Sequence, residues 1–178
     1  MLLCISGKIN SGKTTLAKEL SQAIEWPRVS FGDFVRKEAK KRGLDDSRTT
    51  LQKLGESLLN SDIRLFCQNV LAEANWRHKM PLIVEGIRHQ EVLNTLKRIA
   101  SSEKVVLIYI NTENSIRFSR ILASGQEVPD ERHSTEIQVQ NTLLNKADVV
   151  INGNESVEKA ISKVVSWLKN ETEFLSSS

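Results

Sequence analysis

The sequence predicts one α/β domain built on a parallel β-sheet. Short apolar segments alternate with helical patterns along the chain, and the first apolar segment leads directly into a glycine-rich loop. The segment at residues 104–110 is almost entirely apolar, which is typical of an interior strand covered on both faces. At 178 residues, the chain is long enough for one domain with a three-layer core.

The glycine-rich loop follows the apolar segment at residues 2–5. It fits the pattern G-x-x-x-x-G-K-[ST], and a helical stripe begins at Leu16. In such a strand–loop–helix unit, backbone N–H groups surround a phosphate chain, a lysine reaches the β- and γ-phosphates, and a hydroxyl binds Mg²⁺. A glycine-rich turn with one exposed lysine is the alternative. We predict a nucleoside triphosphate site made by Gly7, Asn10, Ser11, Gly12, Lys13, Thr14 and Thr15.

Further strands and helices follow from the hydrophobic patterns. The strands are predicted at residues 28–31, 80–84, 104–110 and 147–152. The helices are predicted at residues 32–43, 49–76, 91–99, 114–122, 135–145 and 156–168. The helix at 49–76 is either continuous or a pair broken near Gly55 or residues 60–62. Residues 123–133 have the composition of a mobile polar loop, and residues 171–178 that of a frayed tail.

Charge and cysteine content narrow the class of protein. The net charge of +3 is too small for an extended nucleic-acid footprint. Cys4 and Cys67 each lie in an apolar pattern, which indicates buried, reduced thiols, as in a cytosolic protein. No signal peptide and no membrane-spanning run is recognisable. We therefore expect a cytoplasmic protein.

Polar residues follow the predicted strands at the edge where an open parallel sheet binds its ligands. Gly32 and Asp33 follow the second strand, and Glu85 ends the third. Glu85 either holds the water shell of Mg²⁺ across from Thr14 or is a solvated strand end. Asp33 either caps the next helix or takes part in substrate or metal binding, and one carboxylate can do both.

Four arginines are candidates for binding anions. Arg36 lies one turn beyond Asp33 and could pair with a phosphate or carboxylate of an acceptor. Arg88 comes directly after the third-strand segment. Arg117 and Arg120 are three residues apart beside the polar loop, so they either form an exposed helix face or close on the transferring phosphoryl group.

With these motifs, the chain resembles the P-loop kinases of the nucleoside monophosphate kinase superfamily over residues 1–168. The shared motifs include S-x-G-D-x-x-R at residues 30–36, an acidic-Gly-x-Arg segment at residues 85–88, and the arginine pair. A final A-D-x-x-I-x-N/G segment at residues 147–153 resembles the loop near the adenine in adenylate, cytidylate and dephospho-CoA kinases. Residues 48–55 are similar to a segment of deoxynucleoside monophosphate kinase-like proteins.

The resemblance implies a three-layer P-loop NTPase fold with a five-stranded parallel sheet in the order 2-3-1-4-5. It implies one domain at residues 1–170, with an acceptor-binding helical part at about 32–76 and a short lid at about 123–133. The implied activity is Mg²⁺-dependent transfer from ATP to a small phosphorylated acceptor, first of all a nucleoside or deoxynucleoside monophosphate. The implied roles are ATP binding by Asn152, acceptor binding by Gly32, Asp33, Arg36 and Arg88, and catalysis by Lys13, Asp33, Arg88, Arg117 and Arg120.

Two departures from the family pattern leave the acceptor open. Glu85 stands where the family has Asp, with one residue fewer before Arg88. The lid is short and lacks the paired arginines of the family's R-x-x-x-R run; Gly125 and Gln126 stand where one of them is expected. The alternatives are a dephospho-CoA kinase-like hydroxyl kinase, with Asp33 as the base, and a nucleotide-dependent regulatory ATPase.

Overall fold

A single parallel sheet forms the centre of the protein in the computed structural model, which describes residues 1–101, 103–123, 125 and 142–176. Its strands are β1 Leu2–Gly7, β2 Arg28–Ser30, β3 Leu82–Ile87, β4 Val105–Asn111 and β5 Val149–Asn152. Neighbouring strands are parallel throughout, and their order is β2-β3-β1-β4-β5. The predicted fold class and the strand order implied by the family resemblance are both confirmed.

Helices cover both faces of the sheet. In the described ranges they are α1 Lys13–Ala23, α2 Phe31–Lys41, α3 Arg48–Ser61, α4 Ile63–Ala72, α5 Gln90–Ala100, α6 Asn114–Ala123 and α7 Val157–Ser176, with a short 3₁₀ turn at Leu144–Lys146. None of these helices is both long and apolar enough to cross a membrane.

The central strand β1 shows how one apolar run builds two cores. Side chains alternate across a strand, so Leu2 and Cys4 pack in the core beneath α2 to α5, while Leu3 and Ile5 pack in the core beneath α1 and α7. All four side chains are fully buried. A strand that faces a hydrophobic layer on each side needs apolar residues at every position, which explains the continuous run in the sequence.

Both cysteines are free thiols inside the protein, as predicted. Burial raises the pKa of the Cys4 thiol to about 12, and it raises the pKa of the Cys67 thiol to about 12 as well. Desolvation is the main cause, because the buried environment disfavours the thiolate. Neither thiol is therefore poised for nucleophilic chemistry at neutral pH.

The start of α2 corrects one prediction. Asp33 does not cap this helix; Ser30 does, because its side-chain oxygen accepts a hydrogen bond from the Asp33 backbone N–H at 3.2 Å. Asp33 lies within the first turn, where a negative charge suits the positive end of the helix dipole. The S-x-x-D spacing of these two residues is a capping-box pattern that the sequence already contained.

The other helix ends agree with the sequence in part. The segment at 49–76 is a pair of helices that breaks at Asp62, whose carboxylate accepts from the Leu65 backbone N–H at 2.8 Å and caps α4. Helix α7 continues to Ser176, so the predicted frayed tail is mostly helical. The predicted lid at 123–133 and the predicted helix at 135–145 lie mostly outside the described residues.

Candidate functional site

A cavity of about 1290 Å³ opens at the carboxyl edge of the sheet. Most of the site residues predicted from the sequence line it: Asn10, Ser11, Gly12, Lys13, Thr14, Thr15, Gly32, Asp33, Arg36, Glu85, Arg88, Arg120 and Asn152. Gly7 and Arg117 are absent from its lining. The strand ends thus bring together residues that are far apart in the sequence, as expected for a parallel sheet.

The loop between β1 and α1 forms the floor of one half of the cavity. Gly12 has φ +97°, a left-handed conformation that favours glycine, and it stands immediately before α1. A Cβ on Gly7 would lie 2.6 Å from the Ile110 carbonyl oxygen, so only glycine fits between this loop and β4. Residues 12–15 line the cavity, so the N-terminus of α1 faces it, and a helix N-terminus is a suitable site for an anion.

Lys13 lies folded against this same loop. Its ammonium group donates a hydrogen bond to the Lys8 carbonyl oxygen at 2.6 Å, and the residue is only 9% exposed. A buried ammonium held by a backbone carbonyl is positioned to exchange that oxygen for a phosphate oxygen when a nucleotide binds.

Across the loop, the Thr14 hydroxyl donates a hydrogen bond to Glu85 Oε1. Glu85 is almost completely buried at the end of β3, in register with Ser30 of β2. The hydroxyl proton is directed to the carboxylate, so the oxygen lone pairs of Thr14 remain for another ligand. An alcohol oxygen beside a carboxylate is a donor set that suits a hard cation such as Mg²⁺, so these residues fit the ion that the fold family implies.

Arg28 is a site-associated residue that sequence reasoning missed. Its Nη1 atom donates a hydrogen bond to Glu85 Oε2 at 2.8 Å. Arg28 and Ser30 share one face of β2 because side chains alternate along a strand, and Ser30 pairs in register with Glu85. Once the second and third strands are known to be neighbours, this alternation predicts that Arg28 and Glu85 lie on the same face of the sheet.

The other half of the cavity lies between the sheet and α2 to α4. Arg36 Nη1 lies 3.1 Å from Asp33 Oδ1, and both side chains are more than half exposed. Arg48 and Arg88 also line this half. The rest of this lining is mixed. Its apolar members are Val35, Leu51, Leu59, Phe66 and Val92, and its polar or acidic members include Asp46, Ser47, Gln52, Glu56 and His89.

Arg120 joins three parts of the chain at the opposite end of the cavity. Its Nη1 atom donates to the Asn10 carbonyl oxygen at 3.3 Å, and its Nη2 atom donates to the Gly153 carbonyl oxygen at 3.1 Å. Asn152 lies beside this contact, and its side-chain oxygen accepts from the Asn154 backbone N–H at 3.0 Å. The loop after β5 is thus fixed against the phosphate loop.

The prediction that Arg117 could act together with Arg120 does not match its position. Arg117 is fully buried; its Nε atom donates to the Ile9 carbonyl oxygen at 2.9 Å, and its Nη1 atom donates to Asn114 Oδ1 at 2.8 Å. Positions three apart on a helix are neighbours, but here one side chain turns under the phosphate loop while the other lines the cavity. Arg117 supports the loop from below.

Comparison with known proteins agrees with this architecture. A family model described as an AAA domain matches residues 3–141. The chain belongs to this AAA domain family. A UPF0200 protein of Methanocaldococcus jannaschii is 31% identical over 92% of this chain and 87% of its own length. A UPF0200 protein of Thermococcus onnurineus is 26% identical over 93% of this chain and 96% of its own length.

Solved structures similar to this family member are P-loop kinases. A shikimate kinase from Acinetobacter baumannii, solved in complex with shikimate, matches with a TM-score of 0.65 at 14% identity, covering 96% of this chain and 93% of that one. A shikimate kinase from Aquifex aeolicus matches with a TM-score of 0.59 at 18% identity, covering 97% and 98%. A gluconokinase from Sinorhizobium meliloti matches with a TM-score of 0.59 at 12% identity, covering 97% and 94%. At these identities the likeness establishes the P-loop kinase fold alone.

Proposed function

We propose that this protein transfers the γ-phosphoryl group of ATP to a nucleoside or deoxynucleoside monophosphate. One observation carries the proposal: a continuous cavity of about 1290 Å³ joins the phosphate loop to a second region lined by arginines and apolar side chains. Pockets that hold one small ligand are typically about 300–1,000 Å³, so this cavity is larger than one ligand needs. Its size is consistent with a donor and an acceptor side by side, as phosphoryl transfer between two small molecules requires.

The donor half is suited to a triphosphate. Backbone N–H groups at the start of α1 and the Lys13 ammonium would hold the β- and γ-phosphates, and Arg120 would neutralise charge at the cavity edge. Thr14 and Glu85 would hold Mg²⁺, which would supply positive charge to offset that of the phosphates. Asn152 would contact the adenine, because residues 147–153 resemble the loop near the adenine in related kinases.

The acceptor half combines cationic and apolar surfaces. Arg36, Arg48 and Arg88 line it together with apolar side chains, and the carboxylates of Asp46 and Glu56 line it as well. A guanidinium binds phosphate through two parallel hydrogen bonds, and an apolar wall suits the faces of a nucleobase. A sugar acid also presents an anion, its carboxylate, to the arginines, but it has no apolar ring face. The apolar side chains are therefore the feature that favours a nucleoside monophosphate over a sugar acid.

A hydroxyl acceptor is the second candidate. Asp33 lines the cavity with 55% of its side chain exposed, so its carboxylate could accept a proton from an attacking hydroxyl. The structural neighbours titled as shikimate kinase and gluconokinase are consistent with such chemistry. This reading makes Asp33 a base, whereas a monophosphate acceptor does not need one.

The experiment is an ADP-release assay with ATP, Mg²⁺ and a panel of acceptors. The panel contains nucleoside and deoxynucleoside monophosphates, dephospho-CoA, shikimate and gluconate, and Lys13→Ala is the inactive control. Stimulation by one or more monophosphates supports the proposal. Stimulation by a hydroxyl acceptor alone, abolished by Asp33→Asn, supports the second candidate. ADP release that no acceptor stimulates would contradict both and favour a regulatory ATPase. In the proposed role the protein would work in the cytoplasm, where ATP is available.

A further inference from the structure

A chain of charged side chains runs behind the cavity wall between its two halves. Arg28 Nη1 lies 2.8 Å from Glu85 Oε2 and 3.9 Å from Asp33 Oδ2. Arg28 itself is absent from the cavity lining, and its side chain is 21% exposed. Arg28 therefore contacts two carboxylates that line the cavity, but Arg28 does not line the cavity itself.

We propose that Arg28 is a positioning residue that orients Glu85 for the magnesium ion of the nucleotide. The inference rests on the proposed function, because it assumes that Mg²⁺ and ATP bind beside Thr14. It assigns Arg28 no contact with substrate, metal or the transferring group. Its role is exerted entirely through the Glu85 carboxylate.

The geometry of Glu85 is the first reason. Its Oε1 atom accepts from the Thr14 hydroxyl, and its Oε2 atom accepts from Arg28. A carboxylate held by a separate donor on each oxygen cannot rotate about its last bond without breaking one of the two. Hydrogen bonds of this kind to metal-binding carboxylates fix their orientation, and their loss typically lowers metal affinity 10–100-fold.

The electrostatic setting is the second reason. Glu85 is 5% exposed, so its negative charge is removed from most of the surrounding water. A buried charge is tolerated when it is paired and hydrogen-bonded, and Arg28 supplies both conditions. Arg28 thus keeps a charged carboxylate in place before any cation arrives.

Asp33 adds a weaker contribution. Its Oδ2 atom lies 3.9 Å from Arg28 Nη1, the same nitrogen that donates to Glu85, while Arg36 makes the closer contact with Asp33, at 3.1 Å. The Asp33 side chain is 55% exposed, so this longer ion pair stabilises Arg28 little. The hydrogen bond to Glu85 is therefore the contact that fixes Arg28.

The test measures nucleotide binding and does not depend on turnover. The dissociation constant of a fluorescent ATP analogue is measured in excess Mg²⁺ and in EDTA for wild type, Arg28→Gln and Arg28→Lys. The dissociation constant in EDTA divided by that in Mg²⁺ measures how much the ion strengthens nucleotide binding. We expect Arg28→Gln to lower this ratio about tenfold. The metal-free constant should be nearly unchanged. Arg28→Lys should recover part of the ratio, because an ammonium can still donate one hydrogen bond to Oε2.

Two further variants separate positioning from general stability. Arg42→Gln removes an exposed ion pair with Glu38 at the far end of α2, at 3.8 Å, and should leave the ratio at its wild-type value. In a Glu85→Gln background, Arg28→Gln should cause no additional change, because the group that it orients is already neutral. Thermal unfolding of each variant shows whether the fold is retained.

The outcomes distinguish this inference from the proposed function. If Arg28→Gln weakens binding equally with and without Mg²⁺, or strengthens the Mg²⁺-dependent part, Arg28 does not position Glu85. If Arg28→Gln lowers the ratio of dissociation constants as much in the Glu85→Gln background as in wild type, Arg28 acts through another group. If wild type binds ATP without any benefit from Mg²⁺, only the metal assignment and this inference fail. If wild type does not bind ATP at all, the proposed function fails with them.

Discussion

The Thr14 hydroxyl donates a hydrogen bond to Glu85 Oε1 and so ties the first turn of α1 to the end of β3. The two residues meet because β1 and β3 are neighbours in the sheet and α1 packs over the face that carries Ile83 and Glu85. The fold thus brings together two oxygen-bearing side chains from segments about 70 residues apart, and their oxygen atoms suit a cation.

Glu85→Gln should lower turnover at least tenfold and raise the Mg²⁺ concentration needed for half-maximal rate. The amide keeps the shape and can still accept from Thr14, but it loses the charge that attracts the ion. Thermal unfolding should change much less than turnover does. The control is Glu73→Gln, which removes a surface partner of Lys37. A Glu85→Gln variant with wild-type rate and Mg²⁺ dependence would make Glu85 a structural strand end.

Arg36→Lys should raise the KM of the acceptor about a hundredfold and leave the KM of ATP nearly unchanged. Arg36 lies in the acceptor half, and a lysine cannot reproduce the two parallel hydrogen bonds of a guanidinium. Losing one charge-assisted pair costs about 2–3 kcal/mol, which corresponds to that factor. Lys37→Gln, on the exposed side of the same helix, is the matched control. Equal loss of ATP and acceptor affinity would assign Arg36 to the donor half instead.

Gly153→Ala should destabilise the fold by about 1–3 kcal/mol and weaken ATP binding. A Cβ at this position would overlap the Thr112 hydroxyl and lie 2.8 Å from Ile110 Cγ2. Thr112 would have to turn away and give up the hydrogen bond that it donates to the Ser11 carbonyl oxygen at 2.9 Å. Chemical denaturation and calorimetric ATP titration measure the two effects.

Gly55→Ala is the matched comparison for that substitution. A Cβ there would lie 3.8 Å from Val35 Cγ2, an ordinary contact inside α3. Alanine is the better helix former, so this variant should be more stable than wild type by about 0.5–1 kcal/mol. If both alanine variants lose stability to the same extent, the crowding at Gly153 is not the cause of its loss.

Alkaline pH should destabilise the protein partly through Cys4. Its thiol has a pKa of about 12 in the folded chain, raised by burial from 9.0. Between these values the unfolded chain releases the proton and the folded chain retains it, so unfolding is favoured increasingly as pH rises above 9. The stability contributed by the neutral thiol is complete below pH 9. Urea denaturation at several pH values should show a smaller alkaline loss for Cys4→Ala than for wild type.

The sequence was sufficient to predict the sheet, because each strand is a short apolar run between helical patterns. Its parallel arrangement followed from that alternation, and the strand order followed from the family resemblance. The phosphate loop was equally readable, since its glycines and its lysine have fixed spacing. The strands and the glycine-rich loop depend on local sequence, which is why hydrophobic patterns and residue spacing could predict them.

Contacts between distant segments were the part that the sequence could not predict. Arg28 became interpretable only when β2 was known to lie beside β3, because its partner is on the other strand. Arg117 and Arg120 have the same spacing and chemistry in the sequence, yet one is buried under the loop and the other lines the cavity. Helix periodicity shows that side chains three residues apart lie on the same side of a helix. It does not show which of the two is buried and which lines a cavity.

The support beneath the phosphate loop also bears on how this protein can diversify. The phosphate loop is packed against three residues from different segments: Thr112, Arg117 and Gly153. A single mutation at any of them would disturb the contacts of the loop. Helix α3, in contrast, lines the proposed acceptor half, and its leucines pack against the core while Gln52 and Glu56 line the cavity. Mutations of these two polar residues can change what the cavity accepts while the hydrophobic cores stay intact. A lineage with this architecture could therefore acquire new acceptors by drift along one helix while its nucleotide site remains constant.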